Sequence, residues 1–111
     1  MRSLIAGGTV VTAGRTHEAD VLVDGGRIVE IGSDLPAGDA ERINAAGKYV
    51  LPGAVDVHTH LDTPFGKYTT VDDWRVGSIG AACGGTTTIV DFALQAKGQT
   101  LREAIDGWHA K

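Results

Sequence analysis

The sequence predicts an α/β fold, in which a sheet-forming first half precedes a second half of alternating strands and helices. Three observations support this prediction. Residues 1–52 contain short β-prone runs separated by glycine pairs such as Gly25-Gly26. The rhythm changes after Pro52-Gly53, where apolar strands alternate with segments of helical periodicity. The second half reads strand, helix, strand, helix, an order that indicates parallel strands joined by right-handed crossovers.

In the first half, the glycine pair Gly25-Gly26 forms a two-residue loop suited to a primed hairpin turn between two strands. The strand before it places its apolar residues on one face and Asp20 and Asp24 on the other, because successive side chains alternate. We therefore predict a half-exposed antiparallel sheet. Further short strands are predicted at residues 4–5, 9–11, 42–45 and 48–51, with a loop at 35–38.

The second half begins with a strand predicted at residues 54–61. A loop follows, and then a helix predicted to begin near Val71, since Thr70 and Asp73 have the spacing of a capping box. The pair Gly84-Gly85 is typical of a helix end. The sequence thus predicts one complete strand–helix unit before residue 86.

A second unit follows, with a strand rich in β-branched residues predicted at 86–94. Thr100 and Glu103 have the spacing of a capping box for a second helix. Two parallel strands and two helices cannot cover a parallel sheet on both faces. We therefore expect the 111 residues to be a fragment of a larger α/β protein.

Composition excludes several functions. The formal charge of −4 comes without a basic cluster, so no nucleic-acid partner is expected. No apolar run approaches the roughly 18 residues of a membrane span, so no membrane partner is expected either. The single cysteine, Cys83, cannot form an internal disulfide. We expect a cytoplasmic protein.

The stretch GAVDVHTHLDTPFG, residues 53–66, holds the candidate site. In a strand, His58 and His60 point to the same side, with Cα atoms about 6.6 Å apart at about 3.3 Å per residue. Two imidazoles so placed can lean toward one zinc ion, and ligand sites in parallel α/β folds gather beyond the carboxyl ends of strands. The alternative is that both histidines simply form hydrogen bonds with their neighbours.

Four other polar residues have to be interpreted beside this pair. Asp56 shares the face of the histidines, where it could orient an imidazole from outside the ligand shell or simply bind backbone. Asp91 is expected to be a structural hydrogen-bonding group. His17 and His109 are expected to be solvated.

Several stretches that follow one another along the chain carry a resemblance. They are the strand Ala19-Asp-Val-Leu-Val23, IGSDL at 31–35, INAAGKYVLPGAVDVHTHLDTPFG at 43–66 and GGTTTIVDF at 84–92. Together they resemble the N-terminal quarter of the cyclic amidohydrolases, and most of all the dihydropyrimidinase and D-hydantoinase branch. The similarity spans essentially all 111 residues.

The resemblance implies an architecture. Residues 1–52 would be the N-terminal part of a small β-sandwich domain that the distant C-terminus completes. Residues 53–111 would be the first two β/α units of a (β/α)8 TIM-like barrel, left incomplete here. The complete protein would form a homo-oligomer.

The resemblance also implies chemistry. His58 and His60 match the two histidines that hold the more buried ion of a two-zinc centre. A carboxylated lysine, two further histidines and a catalytic aspartate would come from later barrel strands, so the catalytic residues are expected beyond residue 111. The implied reaction is zinc-dependent hydrolysis of a small-molecule substrate, in which the cyclic amide bond of a dihydropyrimidine or 5-substituted hydantoin opens to an N-carbamoyl amino acid.

Two alternatives remain open. Allantoinases and dihydroorotases resemble the same region but typically carry an arginine or a Pro-Gly soon after the histidine pair, and an arginine there would suit a substrate carboxylate. Residues 61–66 contain no arginine, and Phe65 suits an uncharged ring or an apolar substituent in a substrate pocket. Non-catalytic dihydropyrimidinase-like interaction proteins tend to lack the metal histidines, which this chain retains.

Overall fold

The computed structural model describes all 111 residues. They form two compact units, Met1–Pro52 and Gly53–Lys111. The division falls at the change of sequence rhythm. The assignment of the units to a sandwich domain and a barrel stays a prediction, because five strands and two β/α units do not by themselves make either architecture.

The first unit is one mixed sheet. Its strands are β1 (Arg2–Val11), β2 (Thr16–Asp24), β3 (Arg27–Gly32), β4 (Glu41–Asn44) and β5 (Tyr49–Val50). The order is β3-β2-β1-β4, with β5 also beside β1. The neighbours β1, β2 and β3 are antiparallel, as predicted, whereas β4 and β5 run parallel to β1. The antiparallel pairing predicted around Gly25-Gly26 is therefore confirmed, and the parallel direction of β4 and β5 was not predicted.

Glycines shape this sheet at two places. Gly25 and Gly26 have φ of 55° and 76°, the pair of positive values that a type I′ turn requires, so the predicted hairpin is confirmed. Gly7 has φ of 70° where the pairing of β1 with β2 is interrupted. This bulge lets β1 continue as one strand of ten residues, where the sequence predicted two short pieces.

Asp20 lies in the interior, not on the solvent face that strand alternation predicted. Leu35, on the loop that follows β3, packs against the cluster of Leu4, Ala6 and Leu22 and covers this face. The backbone N–H groups of Gly7 and Leu35 donate to the Asp20 carboxylate at 2.7 and 3.0 Å. The Gly7 bond lowers the pKa of Asp20 most, burial opposes it, and the Leu35 bond and the positive charge of Arg42 lower it further.

The second unit contains two parallel strands, two helices and a small hairpin. Its elements are β6 (Ala54–Thr59), β7 (Pro64–Phe65), β8 (Tyr68–Thr69), α1 (Trp74–Cys83), β9 (Thr86–Asp91) and α2 (Leu101–His109). The parallel pairing of β6 with β9 confirms the predicted topology. Both strands end earlier than predicted, at Thr59 and Asp91, and the hairpin occupies the segment predicted as a loop.

The start of α1 differs from the prediction. Asp73, not Thr70, is its N-cap, and the Asp73 carboxylate accepts from the backbone N–H of Val76 at 2.7 Å. The Thr70 hydroxyl is engaged elsewhere, because it accepts from the backbone N–H of Thr63 at 2.8 Å across the β7–β8 hairpin. The helix therefore begins at Trp74, three residues after the predicted start.

The other predicted helix signals are confirmed. Gly85, with φ of 89°, follows the C-cap of α1. At α2 the Thr100 hydroxyl accepts from the N–H of Glu103, whose carboxylate accepts from the N–H of Thr100, so the capping box is complete. Neither helix has the length and apolar character that crossing a membrane requires.

Candidate metal centre

The histidine pair lies at the carboxyl end of β6. His58 is the second-last residue of β6, and His60 directly follows Thr59, the last residue of that strand. The two imidazole centroids are 5.3 Å apart, with the ring planes at 70°. The alternation of a strand thus brings both rings to one place, where they can approach a common ligand.

Aromatic side chains surround the pair. The Phe92 ring lies 4.5 Å from the ring of His58 and 5.4 Å from that of His60, and the Phe65 ring lies 5.9 Å from that of His60. Phe92 was missed in the sequence, although it directly follows β9 and β9 pairs in parallel with β6. Carboxyl ends of parallel neighbours meet at one edge of a sheet, and that rule could have identified it.

One nitrogen of the pair has no partner. Nδ1 of His60 is buried and forms no hydrogen bond within the protein. Buried polar atoms without a partner are rare in folded proteins and often mark a site for a ligand or ion. A neutral imidazole is also a common protein ligand of zinc. The pair is therefore chemically suited to contribute two nitrogen ligands.

Asp56 forms a hydrogen bond with the backbone of His58. Its carboxylate accepts from the backbone N–H of His58 at 3.1 Å, where the regular pairing of β6 with β9 is interrupted. This contact corresponds to the backbone alternative considered for Asp56. A role for Asp56 in orienting an imidazole ring stays a prediction.

Asp91, at the end of β9, joins three elements. Its carboxylate accepts from the hydroxyl of Thr59 at 3.0 Å, from the backbone N–H of Leu61 at 3.2 Å and from the indole N–H of Trp108 at 3.0 Å. Burial raises the pKa of Asp91, but these bonds and one from the N–H of Phe92 together outweigh it, so the pKa lies below its usual value. The expected structural role of Asp91 is confirmed.

The chain does not hold a complete metal site. No group of three or more histidine, cysteine, aspartate or glutamate side chains is arranged to hold a metal ion. A catalytic zinc needs three protein ligands and an open position. The pair of His58 and His60 could supply two nitrogen ligands, fewer than such a site requires.

The other histidines lie apart from the pair in sequence. His109 is exposed on the last turn of α2, in agreement with the prediction. His17 is only partly exposed, and its Nδ1 is buried without a hydrogen-bond partner, so the prediction that it is solvated was wrong. Its position within β2, paired with Val10, accounts for the burial.

No protein-family model matches the chain. Among curated proteins, D-hydantoinase of Geobacillus stearothermophilus is 53% identical over 111 residues, covering 100% of this chain and 24% of that protein. Dihydropyrimidinase of Rattus norvegicus is 47% identical over 112 residues, covering 96% of this chain and 22% of that protein.

The solved structures that match the chain include proteins with the same names as these relatives. The crystal structure of dihydropyrimidinase from Brevibacillus agri superposes with a TM-score of 0.94 at 56% identity, covering 99% of this chain and 24% of that one. The chain spans about a quarter of the length of the proteins it matches. Over nearly its whole length, the chain is therefore similar in sequence and fold to proteins named D-hydantoinase and dihydropyrimidinase.

Proposed function

We propose that this chain is the N-terminal part of a zinc-dependent cyclic amidase, which hydrolyses dihydropyrimidines or 5-substituted hydantoins to N-carbamoyl amino acids. The observation that carries the proposal is the pair of imidazoles, 5.3 Å apart, at the carboxyl end of β6. The names of the relatives support the substrate class. Allantoinase and dihydroorotase remain the enzymatic alternatives, and a non-catalytic interaction protein is the alternative of another class.

In this proposal His58 and His60 each contribute one imidazole nitrogen to a zinc ion of a two-zinc centre. Zinc supplies a Lewis acid and lowers the pKa of bound water to about 7 when it is present. The residues of this chain hold the two imidazoles together and enclose them with Phe92 on one side. The remaining ligands and the catalytic acid–base group would be contributed by residues after 111.

Phe65 is proposed to line the substrate pocket. It lies on β7, directly after the ligand strand, and its ring packs edge-on to that of His60 at 5.9 Å. Slightly more than half of its surface is exposed, so it has room for a contact with an uncharged ring or an apolar 5-substituent. A dihydroorotase-type substrate carries a carboxylate, which an apolar side chain does not recognise.

The larger architecture is part of the same proposal. Val55 and Val57 on β6 and Ile79 on α1 are each more than half exposed, which is unusual for strands and helices with apolar stripes. Further β/α units of a barrel would cover them. A homo-oligomeric state and a cytoplasmic location stay predictions of the same kind.

Histidine variants of the full-length protein test the metal assignment. Either His58→Ala or His60→Ala is expected to lower zinc affinity by more than about 100-fold, because losing an outer partner of a ligand already costs about 10–100-fold. His109→Ala, which removes an exposed histidine on α2, is the matched control. Zinc content is measured by atomic emission spectroscopy. Ring opening is measured with dihydrouracil and hydantoin as substrates.

Unchanged zinc content and turnover in both variants would contradict the metal assignment. A panel that adds allantoin and dihydroorotate separates the enzymatic alternatives. A full-length protein that binds no zinc and opens none of these rings would favour the interaction protein. The isolated 111-residue chain should bind zinc weakly and open no ring, since it offers only two imidazoles.

A further inference from the structure

The carboxylate of Asp91 binds the residues on both sides of His60. Thr59, which precedes His60, donates a hydrogen bond from its hydroxyl group to Oδ1 of Asp91 at 3.0 Å. Leu61, which follows His60, donates its backbone N–H to the same oxygen at 3.2 Å. We propose that Asp91 is a positioning residue that fixes His60 for metal binding, an inference that rests on the proposed function of the histidine pair.

His60 needs such support because it lies outside the regular strand. β6 ends at Thr59, so no ladder of backbone hydrogen bonds holds the residues that follow. Asp62, two residues on, has φ of 47° and turns the chain away. Asp91 supplies the missing interactions from the neighbouring strand, thirty residues or more away in sequence.

The imidazole rings are held from the same point. Phe92, the residue after Asp91, packs 5.4 Å from the ring of His60 and 4.5 Å from that of His58. The end of β9 therefore restrains both the backbone around His60 and the ring itself. Hydrogen bonds to an ionised carboxylate are stronger than those between neutral groups. Loss of the Asp91 carboxylate would therefore alter the position of the His60 imidazole.

The second oxygen of Asp91 makes a different connection. Oδ2 accepts from the indole Nε1–H of Trp108 on α2 at 3.0 Å. This bond ties α2 to the strand and does not touch the segment that carries His60. Oδ1 of Asp91 thus contacts the segment beside His60, and Oδ2 contacts α2. Separate substitutions can remove each contact.

The test uses conservative variants of the full-length protein, because Asp91→Ala removes both contacts and could prevent folding. Thr59→Val removes the hydroxyl group, and with it the hydrogen bond to Asp91 at 3.0 Å and a longer contact with the carbonyl oxygen of Val90 at 3.4 Å, and it keeps the shape of the side chain. Trp108→Phe removes the bond to α2 and keeps the segment beside His60. Thr87→Val, at an exposed threonine of β9, is the control. Each variant is measured for zinc affinity by chelator competition, for its cobalt(II) d–d spectrum and for its Tm.

Thr59→Val is expected to weaken zinc binding by about 10-fold and to change the cobalt spectrum, in line with the effect of outer partners of metal ligands. Trp108→Phe is expected to lower the Tm and leave the spectrum unchanged. The proposal is overturned if Thr59→Val leaves both metal readouts unchanged, or if Trp108→Phe changes them equally. His60→Ala in the same assay separates the failures: if it retains full zinc affinity, the metal assignment itself is wrong.

Discussion

Replacing Gly53 by alanine should separate the two parallel strands of the second unit at their amino ends. A Cβ atom at Gly53 would lie 2.0 Å from Oγ1, 2.3 Å from Cγ2 and 2.6 Å from Cβ of Thr87. The Cβ of a threonine cannot rotate away, so the backbone of β6 or β9 must move. Overpacking of this kind costs about 1–3 kcal/mol.

Amide hydrogen exchange of the full-length protein measures this effect where it occurs. The reporter is the N–H of Ala54, which donates to the carbonyl oxygen of Gly85 at 2.9 Å. At about 1.4 kcal/mol per factor of ten, the expected loss accelerates exchange across β6 and β9 by roughly 5-fold to 150-fold. Zinc affinity should change little, since His58 lies about 16 Å along the strand.

Two further variants make this test specific. Gly80→Ala, on α1, is the control, because a Cβ there meets no atom within 4 Å, and alanine is the better helix former. In the double variant Gly53→Ala with Thr87→Gly, the colliding atoms are gone and the added cost of Gly53→Ala should largely disappear. Equal effects of Gly53→Ala with and without Thr87, or unaltered exchange of Ala54, would refute the steric reasoning.

Three other predictions concern separate parts of the chain. The pKa of Asp20 lies below its usual value of 3.8, so its contribution to stability is complete above about pH 5 and is lost as the pH falls through the lowered value. Asp20→Asn should therefore flatten the acid limb of a stability–pH curve measured by urea unfolding; an unchanged limb would contradict this. Phe65→Ala should change the ranking of hydantoins with large and small 5-substituents more than it changes zinc content; a drop in Tm with the ranking unaltered would make Phe65 a packing residue only. Thr100→Ala should cost about 0.5–2 kcal/mol by removing the cap of α2, seen as faster amide exchange in that helix, while Thr87→Val should not affect α2.

Much of the local structure could be predicted from short stretches. The turn at Gly25-Gly26 and the capping box of Thr100 with Glu103 depend on residues within three positions of one another. The side-by-side placement of His58 and His60 follows from the two-residue period of a strand. In each case the information and its consequence lie in the same few residues.

Other features depended on competition between partners. Thr70 and Asp73 are both residue types that cap helices. The sequence could not show that Thr70 would bind the backbone of Thr63, so that Asp73 forms the cap. Asp20 alternated onto a face that looked solvent-exposed, until the loop carrying Leu35 covered it. Both errors arose because a polar side chain binds whichever donor the folded chain brings near.

By itself, the sequence determined the α/β class, the parallel order of the second half and the pair of histidines, because hydrophobic period, turn chemistry and spacing are local properties. Only the tertiary structure decided what surrounds that pair. Phe92 and Asp91 reach His58, Thr59 and Leu61 from a strand about thirty residues further along the chain. Such contacts exist only once β6 and β9 align in parallel, and their register depends on packing between distant segments, which no local pattern encodes.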